Sequence, residues 1–162
     1  MRITMLAGAA LLALTFTGAA SATDVSNAVQ IKTTVDKAWA ALGDFCGIKD
    51  WHPVIANCVL SEKDGAKIRT LTTKDGGVIV EKLTQWDDAG HAYGYAILEG
   101  PLPVANYVST IVVKDGAEAG TVAITWSSTF DPKGASEADA SKVIAGIYDA
   151  GLSSLKAKLE AP

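Results

Sequence analysis

The chain has 162 residues, 49% hydrophobic and 20% charged, with 14 basic and 18 acidic side chains and a formal net charge of −4. That length fits one domain with a core large enough to stand without a structural metal. The acidic balance and the lack of a basic cluster leave nothing to attract nucleic acid or an anionic membrane surface.

The chain opens with "MRITMLAGAALLALTFTGAASA", residues 1–22. Arg2, an apolar run from Met5 to Phe16 and the small residues Ala20, Ser21 and Ala22 have the three-part layout of a secretory signal, cleaved after Ala22. The apolar run is shorter than the roughly 20 residues of a spanning helix. The expected product is therefore a periplasmic or secreted domain, residues 23–162, with no membrane span after processing and a slightly more acidic balance once Arg2 is gone.

The first element, "NAVQIKTTV", alternates Val29, Ile31, Thr33 and Val35 as a half-buried strand does. "DKAWAALGDF" follows with Asp36 as N-cap and Trp39, Leu42 and Phe45 at helical spacing. "IKDWHPVI" reads as a second short helix or turn ended by Pro53. From Asn57 to Phe130 come six strands, "CVLSE", "KIRTLTT", "VIVEKLTQW", "HAYGYAILE", "NYVSTIVV" and "TVAITWSSTF", with turn signals such as Asp64-Gly65 and "KDGG" between them. Hairpin turns between neighbours imply an antiparallel sheet. From Ser136, a good N-cap, Ile144, Ile147, Tyr148, Gly151, Leu152, Leu155 and Leu159 recur at helical steps, predicting a helix of about 24 residues, roughly 36 Å long. Gly146 and Gly151 inside it either permit close backbone approach or leave room for something else.

The two cysteines, Cys46 and Cys58, form a disulfide if the chain is exported, or serve as two small buried hydrophobes. His52 and His91 are too few for a metal cluster and sit in no nucleophile motif, so neither a metal nor a cofactor is implied. His52 reads as fixing the turn beside Trp51 and Pro53.

The order of strand, two short helices, six strands and one long helix resembles the helix-grip fold of the START-like (SRPBCC, Bet v 1-like) superfamily. "LGDFCGIKDWHPVIANC", "EKLTQWDDAGHAYGYAILEGPLPVANY" and "SEADASKVIAGIYDAGLSSL" are similar to its bacterial polyketide cyclase/dehydrase-type members. The resemblance implies an α+β fold in which a seven-stranded curved antiparallel sheet wraps the C-terminal helix and leaves a cavity between them. The apolar loop "GPLP" then becomes one lip of the cavity mouth, with Leu102, Pro103 and Val104, and Thr72–Gly77 becomes the facing lip. An apolar rim lowers the cost of closing over an apolar guest because the rim also leaves water.

By alternation Glu81 shares a face with Ile79 and Leu83, and the matching position in the superfamily's abscisic acid receptors holds an inward carboxylate. It is the candidate for proton transfer or ligand anchoring, against a cross-strand ion pair at the sheet edge. Tyr93, Tyr95, Ile97 and Glu99 share a face on their strand, with Tyr107 opposite and Ile144, Tyr148 and Leu152 as the floor. The same aromatic set suits a filled core. Strand "TVAITWSSTF" leaves two readings open: Val122, Ile124 and Trp126 inward by hydrophobicity, or Thr125 and Ser127 inward by family register. Three functions stand together: binding of a small apolar or aromatic molecule, an accessory role with a periplasmic protein partner of the methanol-oxidation type, and a cyclase or dehydratase using Glu81. In the accessory reading, the apolar lip and an outward Trp126 form the docking patch.

Overall fold

The computed structural model describes residues 22–161, so the N-terminal segment read as a signal lies outside the described residues but for Ala22. Strand β1, Thr23–Lys32, starts earlier and ends earlier than its sequence periodicity suggests. Val25 and Ile31 are buried on its inner face. The strand gives way to helix α1, Val35–Leu42, because the Thr34 side chain accepts the Lys37 N–H and caps the helix. Asp36, expected as the cap, is instead in the first turn, where its charge suits the helix dipole. A one-turn 3-10 helix, Gly47–Asp50, takes the place expected for the second short helix.

Six strands follow: β2 Ile55–Lys63, β3 Ala66–Thr73, β4 Val78–Asp87, β5 Ala92–Glu99, β6 Val104–Asp115 and β7 Thr121–Pro132. They form one seven-stranded antiparallel sheet in the order β1-β7-β6-β5-β4-β3-β2. Each strand from β2 to β7 pairs with its sequence neighbour, while β1 closes on β7 at the far edge. The β2–β3 turn shows the local logic: Asp64 and Gly65 both have positive φ, 53° and 74°, the pair of conformations a tight hairpin needs. Register shifts between Ile55 and Asn57, along β4–β5, and between Ala105 and Val108 bend the strands, since an extra residue increases local twist.

Helix α2, Glu137–Glu160, lies in the concavity against β1 and β7. The Ser136 side chain accepts the Asp139 N–H at 3.1 Å and starts it. Its buried face is Ala140, Ile144, Tyr148, Gly151, Leu152 and Leu155, a stripe at three- and four-residue steps. A disulfide joins Cys46 to Cys58, with Cα atoms 5.6 Å apart, and ties the α1–β2 connection to the β2 edge strand. No helix among the described residues is long and apolar enough to cross a membrane. The architecture is the α+β helix grip: a curved sheet around one long helix.

Candidate functional site

Sheet and helix do not meet everywhere. Between them lies a cavity of about 390 Å³, within the range of small-molecule sites. Its rim is built by three loops: Pro53 and Val54 after the 3-10 helix, Thr73 to Gly77 in the β3–β4 turn, and Pro101 and Leu102 between β5 and β6. The Lys74 N–H donates to the Val54 carbonyl at 2.9 Å and ties two of these loops together. The walls are Leu71, Ile79, Ile97, Ile144 and Ile147, and the inner end is Glu81, Tyr95, Tyr107, Trp126 and Tyr148.

The inner end is polar in a specific way. Arg69 and Glu81 face each other across the β3–β4 hairpin, and the Arg69 Nε donates to Glu81 Oε2 at 2.5 Å. Arg69 is fully buried, its guanidinium 4.2 Å from the Phe45 ring centroid and 4.8 Å from that of Tyr95. Nη1 donates to the Phe45 carbonyl at 2.7 Å, and Nη2 has no partner among the described residues. Burial is the largest influence and opposes the guanidinium charge, but the Glu81 carboxylate together with the phenols of Tyr93 and Tyr95 outweighs it and holds Arg69 protonated. Burial raises the pKa of the Glu81 carboxyl, and the Arg69 charge and hydrogen bond offset that rise only in part. The carboxylate stays ionised because a guanidinium cannot give up its proton, and an unpaired one would be costly in the interior.

Beside the pair runs a chain of hydroxyls. The Ser109 hydroxyl donates to the Ser127 carbonyl at 2.7 Å, and the Trp126 indole N–H donates to both Ser109 Oγ and the Tyr95 hydroxyl at 3.0 Å. The Tyr107 and Tyr148 hydroxyls are 2.5 Å apart. Because the Ser109 proton is committed to a carbonyl, the Tyr148 hydroxyl donates to Ser109, at 3.4 Å, and accepts from Tyr107. Burial raises the pKa of Tyr95, Tyr107 and Tyr148, so all three are neutral phenols at pH 7.

His52 closes the site at the helix. Its Nε2 donates to the Ile147 carbonyl at 3.0 Å and its Nδ1 accepts from the Val54 N–H, which together select the neutral Nε2–H tautomer. Burial lowers its pKa, against the raising effect of the Ile147 carbonyl. Gly151 makes this approach possible: a Cβ there would fall 2.6 Å from His52 Cδ2 and 2.9 Å from the Trp126 ring.

Of the residues expected at the site, Glu81, Tyr95, Ile97, Leu102, Tyr107, Ile144 and Tyr148 line the cavity. Four others lie off it. Tyr93 is buried in an aromatic cluster, stacked on Trp86 at 5.3 Å and edge-on to Phe45. Glu99 is exposed, because the register shift between Val80 and Glu81 bends the hairpin just where Glu99 ends it. Pro103 turns toward the end of β7, its carbonyl accepting the Lys133 N–H at 2.9 Å, while Pro101 takes its place at the rim. Leu152 packs into the apolar core under α2. Val104, read as part of the lip, is likewise buried.

The open question about β7 closes in favour of hydrophobicity: Val122, Ile124 and Trp126 are buried and Thr125 is not, so no docking patch is built on an outward Trp126. Glu81 combines two readings that had been alternatives, since it is both cavity wall and cross-strand ion pair, but in the interior rather than at an edge. Arg69 escaped the sequence reading altogether. The signal was there: "TTKDGG" sets a hairpin whose register puts Arg69 opposite Glu81. Among the described residues no cluster of His, Cys, Asp or Glu could hold a metal.

Residues 22–160 match the model of the family described as polyketide cyclase / dehydrase and lipid transport. No curated protein matches the sequence significantly. Among solved structures, the chain is similar to the protein XoxI of Bacillus cereus, 34% identical, with a TM-score of 0.81 over 86% of this chain and 96% of that one. A Bacillus thuringiensis protein is also 34% identical, with a TM-score of 0.78 over 85% and 98% of the two chains. The Zhui aromatase/cyclase of a Streptomyces species shares the fold, with a TM-score of 0.68 at 16% identity over 86% and 94%. The extent of the family match and of the Bacillus cereus alignment together decide the matter: this chain belongs to the polyketide cyclase/dehydrase and lipid transport family.

Proposed function

We propose that the protein binds one small, largely apolar molecule between sheet and helix, and that it does so after export to the periplasm or cell exterior. The observation that carries the reading is the cavity itself: about 390 Å³, walled by Leu71, Ile79, Ile97 and Ile144, and reached through a rim of Val54, Pro101 and Leu102. An apolar guest entering it gains roughly 25 cal/mol for each Å² of apolar surface removed from water. Glu81, held by Arg69 behind it, and the phenols at the inner end give such a guest a fixed orientation. The disulfide and the residue 1–22 signal pattern support export.

Glu81 serves here to anchor the ligand. Its ion pair with Arg69 favours the ionised carboxylate, which suits anchoring over proton donation, and the neutral phenols are poor bases at pH 7. The accessory reading, with a periplasmic protein partner, has lost the exposed Trp126 it relied on.

The test is uptake of an apolar fluorescent dye, N-phenyl-1-naphthylamine, by the purified mature protein. Ile144→Trp fills the cavity from the helix side and is expected to abolish dye fluorescence enhancement while leaving far-UV circular dichroism intact. Undiminished uptake in a folded Ile144→Trp variant would remove the cavity as the binding site. The export component is read from the mass of the secreted product, expected to begin at Thr23.

A further inference from the structure

A single hydrogen-bonded path joins helix α2 to the cavity mouth, and His52 is its middle link. On one side the His52 Nε2–H donates to the Ile147 carbonyl at 3.0 Å; on the other, Nδ1 accepts from the Val54 N–H at 3.4 Å. The Val54 carbonyl accepts the Lys74 N–H at 2.9 Å, which carries the path from the 52–55 loop into the β3–β4 turn. The loop is a turn with Pro53 at its second position, closed by the Ile55 N–H on the His52 carbonyl at 3.2 Å. His52, Val54, Lys74 and Ile147 all line the cavity, so the path is also part of the wall that a guest touches.

This arrangement fits only one protonation state. A second proton on the ring turns Nδ1 from acceptor into donor and sets it against the Val54 N–H. A guest sharpens the conflict: it keeps water from the wall to which His52 belongs, and an imidazolium there loses hydration without gaining a partner. We infer that His52 is a positioning residue that works as a proton-controlled latch. Neutral, it holds the mouth around an apolar guest; protonated, it lets the 52–55 loop go and weakens the hold. The inference rests on the binding reading above and adds its regulation. The surroundings do not offset an added charge. Helix α2 presents the Ile147 carbonyl and Gly151, and β7 presents the Trp126 ring, none of them titratable. From β3 the Arg69 charge opposes protonation. Of the cavity's carboxylates, Glu81 is paired with Arg69, and Asp75 accepts from Thr73 and Gly77 at the rim beside the exposed Lys74. No carboxylate among the described residues lies within ion-pair distance of His52.

The probe is N-phenyl-1-naphthylamine, uncharged between pH 8 and pH 5, titrated into the purified mature protein across that range with circular dichroism to confirm the fold. Its Kd is expected to be level at the upper end and to rise about threefold to tenfold toward pH 5, the worth of one ordinary hydrogen bond. His52→Asn offers Oδ1 to the Val54 N–H as an Asx turn and does not titrate, so its Kd, whatever the value, is expected to stay level. The reciprocal effect needs no variant: bound dye should lower the midpoint of the His52 ring in an NMR titration of the wild-type protein. A wild-type Kd independent of pH, or a midpoint unmoved by dye, would overturn the latch and leave the cavity reading standing. So would the same rise in folded His52→Asn, which would place the titration at Glu81. Failure to bind dye at any pH would bring down the binding reading itself, and this inference with it.

Discussion

Arg69 illustrates how one residue binds fold and site together. It neutralises Glu81, caps the Phe45 carbonyl and sits between two aromatic rings, all without exposure to solvent. Removing one partner of such a pair strands a charge in the interior, whereas removing both together does not. Arg69→Met is therefore expected to destabilise the fold by about 3–5 kcal/mol in urea unfolding, and Arg69→Met with Glu81→Gln by clearly less. Equal losses in the two variants would show that packing rather than charge dominates. His52 provides a test in pH. Its folded pKa lies below the unfolded value of 6.5, so the unfolded chain binds the extra proton first. Its contribution to stability is fully present above pH 6.5 and is lost as pH falls from there through the folded pKa. An NMR titration of the His52 ring should give a midpoint under 6.5; a midpoint above it would contradict the buried, carbonyl-bonded geometry.

Helix α2 carries two glycines whose consequences are opposite. At Gly146 an added methyl would meet nothing within 4 Å, so Gly146→Ala should stabilise the helix by about 0.5–1 kcal/mol through propensity alone. Gly151→Ala gains the same propensity, yet it drives a methyl against His52, Trp51 and Trp126 and should destabilise by about 1–3 kcal/mol through overpacking. Thermal unfolding of the two variants should shift in opposite directions; shifts of the same sign would deny Gly151 its role as the gap through which the 52–55 loop reaches the helix. The second element with a divided character is the β3–β4 hairpin. Its turn supplies part of the rim, and its stem supplies Arg69 and Glu81, so any change in its register moves mouth and anchor together.

For the molecule as a whole, the bridge between Cys46 and Cys58 holds the α1–β2 connection, which carries His52, Pro53 and Val54 at the mouth, against the sheet edge. A closed loop of this size contributes roughly 3 kcal/mol in the chain-entropy account. Reduction is expected to lower the urea midpoint accordingly and to weaken dye uptake before the sheet unfolds; uptake that tracks global unfolding would mean the rim does not depend on the bridge. The cavity is the counterpart of this stabilisation. A hollow core forgoes packing contacts that a filled one would make, and a bound guest restores them, so a ligand at a hundred times its Kd should stabilise the fold by about 2.7 kcal/mol.

Much of this was legible from the sequence by itself. Period-two alternation and turn dipeptides located the strands from β2 to β7, and the spacing of Ile144, Tyr148, Leu152 and Leu155 located α2, because local periodicity reports which face each element buries. Glu81, Tyr95 and Tyr107 were found by the same rule. What it did not reach depended on contacts distant in sequence. That Arg69 pairs with Glu81, that Trp126 turns inward, that Tyr93 leaves the cavity for Trp86 and that Glu99 ends in solvent were decided by hairpin register, by bulges and by the path of α2 across the sheet. Alternation assigns a side chain to a face of the sheet, but only the curvature of the assembled sheet decides how far along that face the hollow extends.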